Sequence, residues 1–226
     1  MQYTSTCQGL FLARPNRFIA HVLIDGRETI CHVKNTGRCR ELLIPGVRVV
    51  LSKSDNPARK TEYDIISVYK GDNLINIDSQ APNQVFREWA LAGGFLPDLS
   101  FLRPETVFGQ SRLDFYFEAA GKKGFVEVKG VTLEENGAAL FPDAPTVRGQ
   151  KHLQELAGLA RQGYECFACF VLQMNAACSF APNRRTDPAF SKALENAHEQ
   201  GVHILARTCL VTENILRMGG PVPVIL

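Results

Sequence analysis

Two alternating stretches decide the fold of this chain: Arg112-Leu113-Asp114-Phe115-Tyr116-Phe117-Glu118 and Phe125-Val126-Glu127-Val128-Lys129. Alternation of apolar and polar residues is the period of a β-strand that rests one face on a core. The glycine-bearing loop between the two stretches suits a hairpin. If Asp114 lies across from Glu127, the centre of the hairpin falls between Ala120 and Gly121. Asp114, Glu127 and Lys129 then share one face of the sheet.

An acidic residue on one strand and an acid-x-lysine on the next is the layout of a metal-dependent phosphodiesterase site. Carboxylates hold hard cations such as Mg²⁺ or Mn²⁺, which prefer oxygen ligands. Such a cation neutralises charge on a phosphoryl oxygen and lowers the pKa of a bound water, which a lysine orients or deprotonates. We therefore predict Asp114 and Glu127 as metal ligands and Lys129 as a catalytic group. The pattern is short, and a solvated sheet face carrying a salt bridge is the alternative interpretation.

The residues after the hairpin favour the catalytic interpretation. The loop Phe141-Pro142-Asp143-Ala144-Pro145-Thr146 leads into a predicted helix at 147–162, and an apolar strand follows at 166–172. Hairpin, helix and strand in this order are expected of the nuclease core whose motif is written PD-(D/E)xK, although the Pro-Asp of that motif is absent here. Asp143, in the loop before the helix, is either a further catalytic acid or a turn residue.

A helix before the hairpin often supplies another carboxylate in such nucleases. Residues 83–92 predict such a helix, and its Glu88 precedes Asp114 by twenty-six positions. Glu88 is therefore a candidate catalytic residue, and the alternative is a surface glutamate paired with a nearby base. Glu105, on the strand before Asp114, competes for the same role.

Seven segments carry a resemblance that extends, in order, over nearly the whole chain. They are Asn35-Thr36-Gly37, residues 54–60, 111–115, 126–133, 141–144 and 148–153, and Phe180-Ala181-Pro182-Asn183 with Asp187. In these segments the chain resembles the sugar fermentation stimulation protein (SfsA) family. The resemblance implies an N-terminal OB-like domain, a C-terminal PD-(D/E)xK nuclease-like domain, DNA binding and a regulatory link to sugar metabolism. It leaves open whether family members cut DNA.

Residues 1–80 predict a small β-barrel. Apolar-rich segments separated by turns lie at 7–14, 18–24, 28–34, 47–52, 63–69 and 74–77, a number that suits an OB barrel. Ala81-Pro82-Asn83 marks the predicted boundary to a second domain, residues 81–226. In that domain we predict a helix at 188–200 capped by Asp187, a strand at 202–205 and an irregular tail from 217. The second half is therefore predicted to be α/β with a mixed sheet.

Basic residues in both domains are candidates for nucleic-acid binding. Arg148 and His152 lie four apart near the predicted start of a helix, whose positive end attracts phosphate. Gln150 and Lys151 lie beside them, although four polar residues on the solvent face of an amphipathic helix would look similar. OB barrels bind single strands with basic loops and stacking aromatic side chains. The remaining candidates are Arg112 on the hairpin and Lys34, Arg38, Arg40, Arg59 and Lys60 on the barrel.

The composition is that of a folded globular protein, with 45% apolar and 21% charged residues among 226. The absence of an eighteen-residue apolar run and of a basic-then-apolar amino terminus argues against a membrane span or secretory signal. Seven cysteines without framework spacing favour reduced thiols in the cytoplasm. Residues 1–80 carry eleven Lys/Arg against eight Asp/Glu, or +3, and residues 81–226 carry fourteen against fifteen, or −1. The first half is therefore the better candidate for attracting phosphate.

Three functional hypotheses follow. The first is a Mg²⁺- or Mn²⁺-dependent deoxyribonuclease acting on single- or double-stranded DNA. The second is a DNA-binding regulator of sugar-metabolism genes that keeps the nuclease fold without turnover. The third is action on RNA or a nucleotide. An intact Asp114, Glu127 and Lys129 favours the first hypothesis, and none of the three involves a membrane.

Overall fold

The first domain is a closed β-barrel in a computed structural model that describes residues 1–35, 37–108 and 111–226. Its strands are β1 (Thr6–Ala13), β2 (Ile19–Ile24), β3 (Arg27–Val33), β4 (Arg48–Lys53), β5 (Tyr63–Lys70) and β6 (Asn73–Asn76). The sheet order is β3-β2-β1-β4-β5-β6, and a parallel β3–β5 pairing closes five of these strands into a ring. The predicted OB-type barrel is therefore confirmed.

Alternation in the barrel sequence explains why these segments form strands. In β2 the residues Ala20, Val22 and Ile24 are buried and their neighbours are partly exposed. The predicted barrel strands lie within two residues of the observed ones. Thr36, in the predicted Asn35-Thr36-Gly37 segment, lies outside the described residues.

The second domain is α/β with a mixed sheet, as predicted. Its helices are α1 (Ala81–Leu91), α2 (Val147–Arg161) and α3 (Pro188–Glu199). Its strands are β7 (Leu99–Phe108), β8 (Ser111–Ala119), β9 (Lys122–Val131), β10 (Leu133–Glu135), β11 (Ala138–Phe141), β12 (Glu165–Leu172), β13 (Ser179–Pro182), β14 (His203–Val211) and β15 (Leu216–Pro221). The main sheet has the order β15-β14-β12-β9-β8-β7, in which β9, β12 and β14 are parallel. A smaller sheet contains β10, β11 and β13.

Helices cover both faces of the main sheet. On one face, α1 buries Val85 and Phe86 in a cluster with Phe115 of β8. On the other, α2 and α3 belong to a cluster that contains Leu156, Leu194 and many other residues of both domains. Residues of β9 alternate between the two faces, so Glu127, two positions from Phe125, points to the face that α2 covers.

The β8–β9 hairpin has the predicted register. Phe115 pairs with Val126 and Ala119 with Lys122, which places Asp114 and Glu127 at the next positions of the same register. The loop has two residues, Ala120 and Gly121, with φ of 50° and 75°. Positive φ at both loop residues is the geometry of a turn whose twist matches that of the flanking strands.

The end of the chain differs from the prediction. The predicted strand at 202–205 continues to Val211 as β14, and the segment predicted to be irregular from 217 forms the edge strand β15. Antiparallel pairing with β14, as in Cys209 with Met218, stabilises that segment. Glycines and a proline are tolerated there because an edge strand leaves one side of its backbone unpaired.

A buried polar junction connects the two domains. The side chain of Gln173, which follows β12, donates to Asn76 Oδ1 at 2.8 Å and to the Asp78 carbonyl at 3.0 Å. The Asn76 amide in turn donates to the Gln173 carbonyl at 2.9 Å. Among the described residues, no helix combines the length and the apolar content needed to cross a membrane.

Candidate active site

Asp114 is held between a neighbouring strand and helix α1. Its Oδ2 accepts a hydrogen bond from the Val128 amide at 2.8 Å. Its Oδ1 accepts one from the side-chain amide of Asn83 at 3.1 Å. The backbone of β9 and the first turn of α1 therefore fix the carboxylate of a β8 residue in one orientation.

Glu127 has one bonded oxygen and one without a hydrogen-bond partner. The residue is 2% exposed, and its Oε1 bonds both Lys129 Nζ and His152 Nδ1. Arg148 Nε lies 3.4 Å from His152 Nε2, on the side of the imidazole away from Glu127, and the Nδ1 nitrogen faces the Glu127 carboxylate. Among the described residues, Glu127 Oε2 is buried without a hydrogen-bond partner. A buried carboxylate oxygen in that state is costly unless another group binds it.

The pKa values of the two carboxylates are shifted in opposite directions. Burial, followed by the negative charge of Glu127, raises the pKa of Asp114 above its usual range, despite the Val128 hydrogen bond and the Lys129 charge. Burial also acts to raise the pKa of Glu127, but the His152 hydrogen bond and Lys129 outweigh it, so the net shift is downward. Glu127 is thus held ionised while Asp114 resists ionisation, and a cation between them would favour the charged form of both.

These groups line a cavity of about 290 Å³ at the start of α2. Lys129 and Arg148 contribute positive charge to its wall. Thr146 caps the helix by accepting from the Gly149 amide at 3.0 Å. The first turn of a helix carries unpaired amides and partial positive charge, so this end of the cavity suits an anion.

Gly130 allows α1 to approach β9 closely. A Cβ at this position would lie 2.6 Å from Pro82 Cγ and 2.4 Å from Gln173 Oε1. Pro82 immediately precedes Asn83, so a larger residue at position 130 would move the Asn83 amide away from Asp114.

Comparison with known proteins gives the family. The SfsA N-terminal OB domain matches residues 12–77, and the sugar fermentation stimulation protein RE domain matches residues 80–215. The chain belongs to the SfsA family. A sugar fermentation stimulation protein homolog of Desulfitobacterium hafniense is 58% identical over 219 residues, covering 97% of this chain and 96% of the relative. One of Clostridium beijerinckii is 51% identical over 226 residues, covering 100% of both.

A solved structure of an SfsA protein has the same fold over its full length. It is described as "The structure of Pyrococcus Furiosus SfsA in complex with Ca2+" and is similar with a TM-score of 0.88. Its sequence is 28% identical, and the match covers 100% of this chain and 98% of that chain. The OB barrel followed by a mixed α/β domain is therefore an SfsA architecture.

Four residues of helix α2 were predicted to bind nucleic acid, and not all of them are exposed to solvent in this SfsA chain. Arg148 and Lys151 are exposed, and Lys151 Nζ lies 3.7 Å from Glu155 Oε1. The Gln150 amide is bonded to the Asp187 carboxylate at 3.1 Å. His152 is buried against Glu127, so it does not lie on the solvent face of the helix, and its contact with nucleic acid stays a prediction. The burial arises because position 152 turns toward the sheet, one position before the buried Leu153.

Two further predicted acids lie away from the cavity. Glu88 is exposed and bonds the Met1 amino group at 2.5 Å, as in the surface-pair alternative. That amino group also donates to the Leu216 carbonyl of β15, so Glu88 lies on the β15 side of α1. Glu105 is exposed on β7, and its Oε2 lies 3.6 Å from Arg112 Nη1. Arg112, predicted to bind nucleic acid, is therefore partly neutralised.

Asp143 faces the barrel rather than the Asp114 carboxylate. A Cβ on Gly37 would lie 3.1 Å from Asp143 Oδ2, which places this acid beside the loop after β3. Phe141 and Thr146, which flank Asp143 in sequence, line the cavity, whereas Asp143 is not among its described lining residues. The catalytic role of Asp143 stays a prediction, and among the described contacts none joins it to Asp114 or Glu127.

The basic residues predicted on the barrel divide into two groups. Lys34 is bonded to the buried Asp78 at 2.7 Å, and Arg59 bonds Asp64 with both terminal nitrogens, at 2.9 and 2.6 Å. These two side chains stabilise the fold through local ion pairs. By contrast, Arg38 and Lys60 are exposed, as is Arg40.

Sequence reasoning missed Asn83, Thr146 and the contact of His152 with Glu127. Asn83 belongs to the predicted boundary Ala81-Pro82-Asn83, and a proline in the first helical turn is a signal that the helix begins earlier. Thr146 precedes the predicted helix and could have been identified as its cap. No local signal predicts the His152 contact, because it depends on how α2 is rotated against β9.

Proposed function

We propose that this SfsA-family protein is a divalent-metal-dependent nuclease that hydrolyses phosphodiester bonds of DNA. The observation that carries the proposal is the buried Glu127 Oε2 without a hydrogen-bond partner, next to a second carboxylate whose pKa is raised. Carboxylate oxygens are the donors that Mg²⁺, Mn²⁺ and Ca²⁺ prefer, so the residues fit such a cation. The Ca²⁺ in the description of the Pyrococcus furiosus protein supports the same class of ion.

Asp114 and Glu127 would hold the cation. Among the described residues, no cluster of three or more His, Cys, Asp or Glu side chains could hold a metal alone. Water and substrate oxygens would therefore complete the ligand set, as is usual for Mg²⁺. When bound, the ion supplies charge stabilisation at a phosphoryl oxygen and a more acidic water.

The remaining cavity residues would bind and orient the reacting groups. Lys129 lies two positions from Glu127 on the same face, where its ammonium can orient the attacking water or stabilise charge on the phosphate. The exposed guanidinium of Arg148 and the positive end of α2 favour a phosphate at the cavity mouth. His152 holds Oε1 of Glu127 and thereby leaves Oε2 for another partner.

Cleavage of labelled DNA tests the proposal. The parent protein should cut in Mg²⁺ or Mn²⁺ and not in EDTA. Asp114→Ala should abolish cutting, and Lys129→Ala should lower the rate by roughly 10²- to 10⁴-fold, the range for loss of a positioned proton-transfer group. Glu88→Gln, an exposed α1 carboxylate outside the cavity, is the matched control and should cut as the parent does.

The outcomes separate the two main hypotheses. Cutting that survives both cavity substitutions would show a contaminant or a different site. If the folded parent binds DNA but cuts none in either metal, the nuclease proposal fails. The DNA-binding regulator that keeps a nuclease fold would then be the better description.

A further inference from the structure

A second and larger cleft lies on the barrel side of the α2 loop. Its volume is about 920 Å³, and it is lined by barrel residues together with Ala144 and Pro145 of the second domain. Three exposed arginines, Arg17, Arg38 and Arg40, belong to its wall. Within the described part of the chain, none of the three forms an ion pair with an acidic side chain, so their charges are available to a ligand.

Arg14 fixes the two loops that carry these arginines. Its guanidinium donates to the carbonyls of Arg17 and Arg38, each at 2.8 Å. It also donates to the carbonyls of Asn35 at 2.6 Å and Gly37 at 3.0 Å. One side chain therefore links the backbones of Arg17 and Arg38, which both line the cleft.

Exposed apolar side chains adjoin the lining residues. Phe18, next to Arg17, is 50% exposed, and the Arg17 guanidinium lies 6.0 Å from its ring centroid. Ile44, next to the lining residue Pro45, is 54% exposed. Arginines interleaved with an open aromatic face suit a ligand that offers both phosphates and unpaired bases.

The cleft and the Asp114–Glu127 cavity share one loop. Ala144 and Pro145 line the cleft, whereas Phe141, Thr146 and Arg148 line the cavity. A strand bound in the cleft therefore needs only to cross this loop to bring a phosphate to Arg148. Asp143 lies on the same loop beside Gly37, and its single negative charge is smaller than the summed charge of the three arginines.

We propose that the substrate is single-stranded DNA, bound in this cleft with phosphates on Arg17, Arg38 and Arg40 and a base stacked on Phe18. The inference rests on the proposed nuclease function, since the cleft delivers the strand to that cavity. Unpaired bases can stack on an aromatic ring, whereas the bases of a duplex already stack on each other. A single strand therefore uses both the charges and the apolar side chains, and a duplex uses only the charges.

Binding in EDTA tests the cleft independently of cleavage. Fluorescence anisotropy would measure the affinity for a labelled 20-nucleotide DNA and for its blunt duplex over a series of salt concentrations. The parent should bind the single strand at least about tenfold more tightly. Replacing Arg17, Arg38 and Arg40 together with alanine should reduce the slope of log K against log salt by about 2, or roughly 0.7 for each phosphate contact.

Phe18→Ala separates stacking from charge. It should weaken single-strand binding roughly tenfold, the scale of one base–aromatic stack, and leave the salt slope unchanged. Arg27→Ala is the control for charge, because this exposed arginine begins strand β3 and pairs with Ile24, at the end of β2 far from Phe18. Phe101→Ala, 46% exposed on β7, is the control for aromatic area. All variants should melt at the parent temperature. If the triple variant unfolds, Arg17→Ala alone replaces it, and the slope of log K against log salt should then change by about 0.7.

Equal or tighter duplex binding, tighter binding of single-stranded RNA than DNA, or equal effects of the control substitutions would overturn the cleft inference. The nuclease proposal would survive any of these results if metal-dependent cutting still required Asp114. Conversely, selective single-strand binding without cutting in Mg²⁺ or Mn²⁺ would support the cleft and overturn the nuclease proposal.

Discussion

The folded protein disfavours the ionised form of Asp114, and a bound cation would favour it. Because its pKa is raised, the folded state holds this proton more tightly than the unfolded state does. In EDTA at neutral pH, Asp114→Asn should therefore increase the free energy of unfolding, by about 1 kcal/mol, as substitutions that relieve a functional site often do. The gain should be complete above the raised pKa and disappear as the pH falls through it. Urea unfolding from pH 4 to 8 would measure this difference.

Asp64 provides the control of opposite sign. Burial acts to raise its pKa, but hydrogen bonds from Arg59 and His32 outweigh burial and lower it. Asp64→Asn should thus lose stability at neutral pH, and the loss should shrink as the pH falls through the lowered pKa. Mg²⁺ should raise the melting temperature of the parent and of Asp64→Asn but not of Asp114→Asn. A less stable Asp114→Asn protein in EDTA at neutral pH would contradict this account.

At the scale of elements, three hairpins use the same two-residue loop with different first residues. The loops are Asp25-Gly26, Ala120-Gly121 and Asn136-Gly137, and the first residue of each has φ near 50°. Alanine is disfavoured in this left-handed region, whereas asparagine visits it readily. Ala120→Asn should therefore stabilise the β8–β9 hairpin by about 1 kcal/mol, and Asn136→Ala should destabilise the β10–β11 hairpin by a similar amount. Chemical denaturation of both variants would measure the two changes, and a destabilising Ala120→Asn would contradict the turn geometry on which the Asp114–Glu127 register depends.

The whole molecule shows which features local sequence can predict. The register of Asp114 and Glu127 follows from one short loop, so sequence alone predicted it. The contacts of Asn83 and His152 depend on how α1 and α2 are rotated on the sheet, which packing along the entire helix decides. For the same reason Glu88, although on the expected helix, faces away from the site. Strand β15 was missed because its pairing with β14 supplies stability that its glycine-rich sequence lacks.

Gln173 makes the candidate active site depend on the packing of the two domains against each other. Its buried amide bonds groups of Asn76 and Asp78, directly before the helix that places Asn83 on Asp114. Gln173→Leu would remove one of two donors from each acceptor, because Asn76 Oδ1 still accepts from the Asp78 amide and the Asp78 carbonyl from the Ala81 amide. At about 0.5–1.5 kcal/mol for each lost bond, it should lower the melting temperature by roughly 3–10 °C. Gln154→Leu, on the exposed face of α2, should change the melting temperature little.

Calorimetry of the parent should show a single transition, because one core cluster contains residues of the barrel and of the second domain. Two separate transitions in the parent, or an unchanged melting temperature in Gln173→Leu, would mean that the barrel and the α/β domain fold independently.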